Sequence, residues 1–570
     1  MMRYKIVLKA IIIALIPILV LGTCTTEKTK EYKLFHGGTI LTVDAEFSEE
    51  EAVVVQGKEI VAVGNLSTLK KQYGKQSETI DLQGNVMLPG FIDPHAHVVA
   101  GASVDYLMEY VGMSSFKTTD EVLARLKEIA AEKESGQWIA ARNWDPSIQD
   151  GPEELTIKEL DAVSTEHPIF VLNASGHLAY ANSKAFEVAG ITNDVTNPEG
   201  AEFVKDKNGE LTGVMKNMAS FLQVWMTMPE AQTLDPAKAL LALTSDWNSK
   251  GITTTTELAL GVTSGAAEWQ LLQAIGQNPD LTARIRAYPS YLKNDEWTEA
   301  GIMPNDGNEM VRLVGFKLVA DGSNQGYTGL QREPYCCGMH QGTYGKEYTS
   351  VEALTKFATQ RGNEGWQLAI HGNGDAAIDN IITAVENLME QGIDVAPLRI
   401  RIEHASIIHD EQFEKMKKYG ISASFLIGHV HYWGVWLRDM VFGEEKVQLL
   451  DRAHSAECNN ISYTLHSDFM VTNPDPLEMI EIAVNRRTFK EPDYKISPDE
   501  SVSVESAIRA LTSEAAWQCM SEHEIGSIEA GKLADFVILE KDPRKVNPEK
   551  ISAIKVLSTW LNGEVVYKVE

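Results

Sequence analysis

Two kinds of hydrophobic pattern run along the chain. From about residue 32 to 88, short β-branched runs (YKLFHGGTILTVD, AVVVQGKEIVAVG, ETIDLQGNVMLPG) alternate with glycine-containing turns. This is a hairpin pattern. Residues 527–570 read the same way: SIEAGKLADFVILE, then AIKVLSTWLNGEVVYKVE, with Asn562-Gly563 between two apolar runs as a two-residue hairpin turn. Residues 89–526 differ. Nearly continuous apolar runs alternate with amphipathic helical stretches, as in VRLVGFKLVADG, SVEALTKFATQRGNEG, WQLAIHGNGD, AAIDNIITAVENLMEQG and LRIRIEHA. Such alternation means βαβ units and a parallel sheet covered on both faces. About eight such strands can be counted, which favours an α/β fold of the closed (β/α)8 TIM-barrel type. Either QWIAARNW or HPIFVLN serves as its second strand, and GITTTTELALG as its third. The excess chain around residues 140–235 reads as an insertion forming a lid or side subdomain. The two flanking blocks, 32–88 and 527–570, suit one small composite β-sandwich built from both chain ends.

The first thirty residues stand apart. Arg3, Lys5 and Lys9 precede the apolar run AIIIALIPILVLG, a basic n-region followed by an h-region. The run is short of the ~20 residues that span a bilayer and contains Pro17. Its end, LGTC, resembles a bacterial lipoprotein signal with Cys24 at the lipidation position, although Thr23 departs from the usual small residue before the cysteine. Residues 1–23 are therefore expected to be a signal segment and 24–31 a polar tether. The body is expected to be extracytoplasmic and membrane-anchored.

With 570 residues, 44% of them hydrophobic and 23% charged, the chain is long and apolar enough for a large core, and wholesale disorder is excluded. Lys plus Arg number 51 and Asp plus Glu 80, for a formal charge of −29. That balance repels nucleic acid over most of the surface, so the expected partners are a small-molecule substrate and the membrane, with a homodimer left open. The five cysteines form no C-x-x-C pair, and Cys336 and Cys337, being adjacent, are expected to be unpaired thiols.

A barrel of this kind carries its chemistry at the C-terminal ends of its strands, and ionisable residues occur there five times. His95 and His97, in PGFIDPHAH, are two apart, so extended backbone points both imidazoles to one side with Cα atoms ~6.6 Å apart. Lys317 closes VRLVGFK; a lysine buried there stays neutral, finds a carboxylate or becomes carboxylated. His371 ends WQLAIH, His404 ends LRIRIEH, and Asp468 ends ISYTLHSD. Neutral imidazoles with carboxylates suit a borderline divalent cation, Zn2+ first, with Fe, Mn or Co as alternatives. Such an ion with Asp468 as proton shuttle hydrolyses a C–N bond.

PGFIDPHAH, KLVADGS, AIHGNGDAA, RIEHA, LHSDFMV and GSIEAGKLADFVIL together resemble the amidohydrolase superfamily. Over about residues 33–570 the chain is most similar to its YtcJ-like branch, which includes N-substituted formamide deformylases. NASGHLAYANSKAF, GHVHYWGVWLRD and AVNRRT also look like that branch. The resemblance implies a (β/α)8 barrel, a composite β-sandwich and a centre of one or two metal ions. Its ligands would be His95, His97, His371, His404 and Asp468, with Lys317 as a carboxylated bridge. His177, Asp321 and His429 lie in matching loop motifs and are the candidate substrate contacts, with a loop hydrogen bond as the alternative for each. The reaction expected is hydrolysis of a non-peptide amide or formamide. The alternatives are a deaminase or cyclic-amide hydrolase with the same centre, and a catalytically dead binding lipoprotein.

Overall fold

A computed structural model describes residues 31–338 and 340–569. The signal segment, most of the tether and Cys24 lie outside the described residues.

Strands from both ends of the chain share one eight-stranded sheet. The join is made by Val86–Pro89 and Phe536–Leu539, antiparallel, with Leu88 opposite Val537. On one face of this sheet Phe35, in the strand Tyr32–Leu41, meets Phe536 and Trp560 edge-on, with ring centroids 5.5 and 5.0 Å apart. The last hairpin, Val556–Leu561 with Glu564–Lys568, turns at Asn562 and Gly563. Both have positive φ, 54° and 74°, as a two-residue turn between right-twisted strands requires.

Nine parallel strands form two arcs. The first contains β1 (Phe91–Asp93), β2 (Ile252–Leu260), β3 (Arg284–Pro289) and β4 (Val311–Leu313), in the order β4-β3-β2-β1. The second runs β5 (Gly315–Val319), β6 (Gln367–Gly372), β7 (Arg401–His404), β8 (Ser422–Phe425), β9 (Tyr463–Leu465). The arcs adjoin twice. Only Val314 separates β4 from β5, and parallel bridges pair Ser290 with Lys317 and Ala96 with Phe469. Ile285, Phe316, Leu318, Leu368, Ile370 and Ile402 on these strands are essentially inaccessible and belong to the main hydrophobic core.

The second strand differs from expectation. QWIAARNW and HPIFVLN form strands Ile139–Trp144 and Ile169–Asn173, but these pair with each other in a separate six-stranded sheet. The neighbour of β1 is β2, the ITTTTELAL run read as third. Four threonines make that run look polar, yet Thr253 to Thr256 are buried. Threonine is β-branched and fits a pleated surface whatever its polarity score.

Six helices matter for the site: α1 (Val98–Leu107), α2 (Met218–Trp225), α3 (Pro229–Thr233), α4 (Pro236–Asn248), α5 (Ala266–Ile275) and α6 (Asp375–Glu390). Cys336 and Cys337 are joined as a disulfide, which corrects the expectation of free thiols there. The loop that carries them is pinned by the Cys336 N–H on Val441 O and the Tyr327 hydroxyl on Met440 O. Among the described residues, Cys458 and Cys519 are free.

Candidate metal centre

The H-x-H segment is held by backbone before its side chains do anything. The Ala96 N–H donates to Thr256 Oγ1 (3.0 Å) and the Leu258 N–H to Ala96 O (2.9 Å), which ties the segment to β2. On the other side the His97 N–H donates to Phe469 O and the Asp468 N–H to His95 O. His95, His97 and Asp468 are thus stitched into one unit beyond the ends of β1 and β9. Helix α1 presses on it at Gly101, where a Cβ would sit 2.6 Å from the Phe469 ring.

Asp468 Oδ1 lies 3.2 Å from His97 Nε2 and 3.4 Å from His95 Nε2. Lys317 Nζ is 3.3 Å from the same His95 nitrogen. The His404 ring is 4.9 Å from that of His95, and the His371 ring 4.4 Å from His404. All six expected ligands therefore converge on one place. His466 stacks on His95 at 4.5 Å. His95, His404 and His466 offer nitrogens within 4.8 Å of one another, and so do the ligand atoms of His95, His97 and Asp468.

Partners behind the centre fix the rings. Glu403 Oε2 is 2.7 Å from His95 Nδ1, and Glu403 is itself gripped by Arg401, whose guanidinium also donates to Pro94 O. A carboxylate on Nδ1 turns the Nε2 lone pair toward the centre. Glu257 accepts the Val99 N–H (2.7 Å) and the Ala259 N–H (3.0 Å), with Oε1 3.9 Å from His97 Nδ1.

Burial and charge set the protonation states. Burial drives His95 and His404 well below the ordinary imidazole range and lowers His371 and His466 to about 3. For His97 burial acts the same way, but the Asp468 and Glu257 carboxylates outweigh it and push it up to about 9. Burial would raise Asp468; the surrounding imidazoles, His95 first, instead hold it far below the carboxylate range. Burial brings Lys317 down to about 8. The centre without an ion is thus mostly neutral nitrogen donors around one carboxylate.

Several of these atoms have no partner. His404 Nδ1, both nitrogens of His466 and Asp468 Oδ1 are buried without a hydrogen bond of good geometry. Buried polar atoms are almost always satisfied, and unpartnered atoms on three neighbouring residues fit a divalent cation better than a closed protein core. Imidazole nitrogen with carboxylate oxygen is the donor set such an ion takes.

The three expected substrate contacts are dispersed. His177 is exposed; the protein packed around it lowers its pKa, while the charge of Asp468 acts in the opposite sense. His429 is buried, 3.3 Å from Ser406 Oγ and with its ring 6.4 Å from that of His404. Asp321 is fully buried and accepts the N–H groups of Leu330, Asn373 and Gly374 at 2.8–2.9 Å. That geometry clamps the loops after β5 and β6. His371 Nε2 approaches Asp321 at 3.7 Å.

Sequence reasoning passed over His466 and Glu403 and left Glu257 without a role. The signals were present. His466 and Asp468 repeat the two-residue spacing of His95 and His97, and Arg401 and Glu403 alternate on one face of β7.

Comparison with known proteins agrees with this layout. Residues 78–567 match the amidohydrolase family. The putative amidohydrolase YtcJ of Bacillus subtilis is 27% identical over 543 residues, covering 94% of this chain and 99% of that protein. The N-substituted formamide deformylase of Arthrobacter pascens is 28% identical over 543 residues, covering 93% and 97%. Among solved structures, an uncharacterized metal-dependent hydrolase from Pyrococcus horikoshii aligns with a TM-score of 0.72 at 23% identity, over 91% of this chain and 99% of that one, a likeness of fold. A family match running from the eight-stranded sheet through every convergent side chain to the last strand leaves one conclusion: this chain belongs to the amidohydrolase family.

Proposed function

We propose that the protein is a metal-dependent hydrolase of a non-peptide C–N bond, in an amide or formamide. The observation that carries this reading is the set of unpartnered buried atoms on His404, His466 and Asp468 beside His95 and His97. His95, His97, His371, His404 and Asp468 would hold the ion, Zn2+ being the one this donor set suits best. Lys317, carboxylated by CO2, would supply the anionic bridge of a two-ion centre. When bound, such a cation polarises a carbonyl oxygen and makes water nucleophilic at neutral pH.

The chain's own groups do the rest. Asp468 accepts the proton of the attacking water and returns it to the leaving nitrogen, so water oxygen joins the acyl carbon as the C–N bond breaks. Glu403 and Arg401 keep His95 in one tautomer, and Glu257 steadies His97. His177 would meet the leaving group. Asp468→Asn is expected to lose at least ~10²-fold in turnover, the scale of a lost general base, with the metal content of both proteins measured alongside. An N-substituted formamide should release formate and amine. Ammonia from an amine-bearing ring would favour a deaminase instead, and near-normal turnover of the mutant would remove Asp468 from the mechanism.

For the architecture, we infer that the two parallel arcs close as a (β/α)8 barrel over residues 89–526, with the bridges Ala96–Phe469 and Ser290–Lys317 as support. The mixed sheet from 32–88 and 527–570 would be its composite β-domain. For location, the basic n-region, the apolar run and Cys24 support lipid anchoring outside the cytoplasm. Cys24→Ala should move the protein from the membrane to the soluble fraction; unchanged fractionation would argue against lipidation.

A further inference from the structure

Beside the metal centre lies a cavity of about 570 Å3. Two of its lining residues tie it to the centre, Val99 two residues after His97 and Met470 two residues after Asp468, and a third, Gly176, adjoins the candidate substrate contact His177. From there it runs outward between α1, α2 and α5. Its walls are apolar, Val104 and Leu107 on one side, Phe221, Leu222 and Trp225 on the second, and Leu271 on the third. Met218 and Met226, at the rim, leave 41% and 49% of their surface uncovered.

The polar exceptions are few. Ser103, Thr263, Ser264 and Glu268 reach the lining. Glu268 is buried and already accepts the N–H groups of Gly261, Thr263 and Ser264, so its carboxylate is spent on its own loop. No charge is left to recognise an ionic group, in a chain whose surface is otherwise strongly acidic. Solvated, such a cavity is costly; filled by an apolar group, it gains the burial of both surfaces.

We propose that this cavity is the subsite for the non-reacting end of the substrate, and that the substrate is an amide or formamide bearing an uncharged alkyl or arylalkyl group of roughly eight to twelve carbons. This rests on the C–N hydrolase reading of the adjoining centre. Size sets the upper bound: a cavity of about 150 Å3 takes one benzene, and this one is several times larger. Methionine and aromatic walls suit a chain without fixed shape, because thioethers adapt to irregular occupants. The carbonyl would lie at the imidazoles and the chain between α1 and α2.

Two measurements on the metal-loaded protein test this. The first is kcat/KM along N-alkyl formamides from methyl to dodecyl; it should rise about fourfold per methylene and level off near octyl. The second needs no turnover: binding of N-octylurea and of N-methylurea, which resist hydrolysis, measured by titration calorimetry. Ala267→Trp fills the cavity from α5 and Leu222→Asp charges it from α2. Each should cut the octyl-to-methyl ratio in kcat/KM, and octylurea affinity, by about tenfold or more. Melting temperatures report whether each variant folds, and either variant alone suffices. Equal hydrolysis of methyl and octyl substrates, with equal binding of the two ureas, overturns the subsite and leaves the hydrolase reading standing. Chain-length-dependent urea binding that both variants abolish, without hydrolysis of any formamide, supports the subsite and sinks the reaction.

Discussion

His95 shows how much one side chain depends on others. Its ring is fully buried, and a neutral imidazole can donate from only one nitrogen. Glu403 at 2.7 Å settles which, and the Arg401 guanidinium holds Glu403 in place. Glu403→Gln retains size but loses the charge that holds the Nδ1 proton. Metal affinity, measured by competition with a chelator, is expected to fall about 10- to 100-fold, and the melting temperature of the metal-free protein to fall as well, because the buried Arg401 guanidinium loses its carboxylate. Wild-type affinity would assign Glu403 to the core alone. At this scale the ligands were legible because each ends an apolar run. Their supports were not, because Glu403 reads as one more polar residue beside a histidine. Only the fold reveals that a carboxylate 308 residues away in sequence faces His95. Asp321 was legible as special but not in kind: its sequence motif cannot distinguish a carboxylate facing a cavity from one filled by three backbone N–H groups.

At the scale of elements, the helical and strand rhythm after residue 311 was readable throughout, since each β-strand is short, apolar and followed by an amphipathic helix such as α6. The second strand was not, because Ile139–Trp144 and Ile169–Asn173 are as apolar as core strands and outscore the threonine-rich β2. The helix Pro476–Asn485, which follows the Asp468 loop, carries a titration with a definite sign. Burial raises its Glu478 to about 7; the hydrogen bond from Tyr432 and the charge of Lys250 pull it down, while Asp475 and Glu481 push it up. The folded state therefore holds a proton that the unfolded chain, near 4.5, has released. Its contribution to stability is present in acid and is lost as pH rises through about 7. Glu478→Gln keeps an acceptor for the Tyr432 hydroxyl and abolishes the titration. The melting temperature of the variant should exceed that of the wild type by more at pH 8 than at pH 5. A difference independent of pH would mean Glu478 is ionised in the fold at both.

At the scale of the whole molecule, the sheet built from both chain ends is joined to the parallel strands by a buried ion pair. Arg284, on β3, is inaccessible; its guanidinium meets both carboxylate oxygens of Asp535, at 2.9 and 3.2 Å, and the Asn562 side chain in the terminal hairpin. Asp535 also accepts the Asn562 N–H and precedes the strand Phe536–Leu539, so one arginine spans β3, the sheet and its last turn. Two charges taken out of water are stable only together. Arg284→Met leaves the Asp535 carboxylate buried and uncompensated, and urea denaturation should show a loss of ~3–5 kcal/mol. The Arg284→Met/Asp535→Asn double variant removes both charges and keeps an acceptor for Asn562. It should recover part of that loss, giving a coupling well above the additive expectation for distant sites. If the two substitutions simply add, the pair does not hold the sheet to the parallel strands, and that work falls to apolar contacts such as Val537 against Gly251.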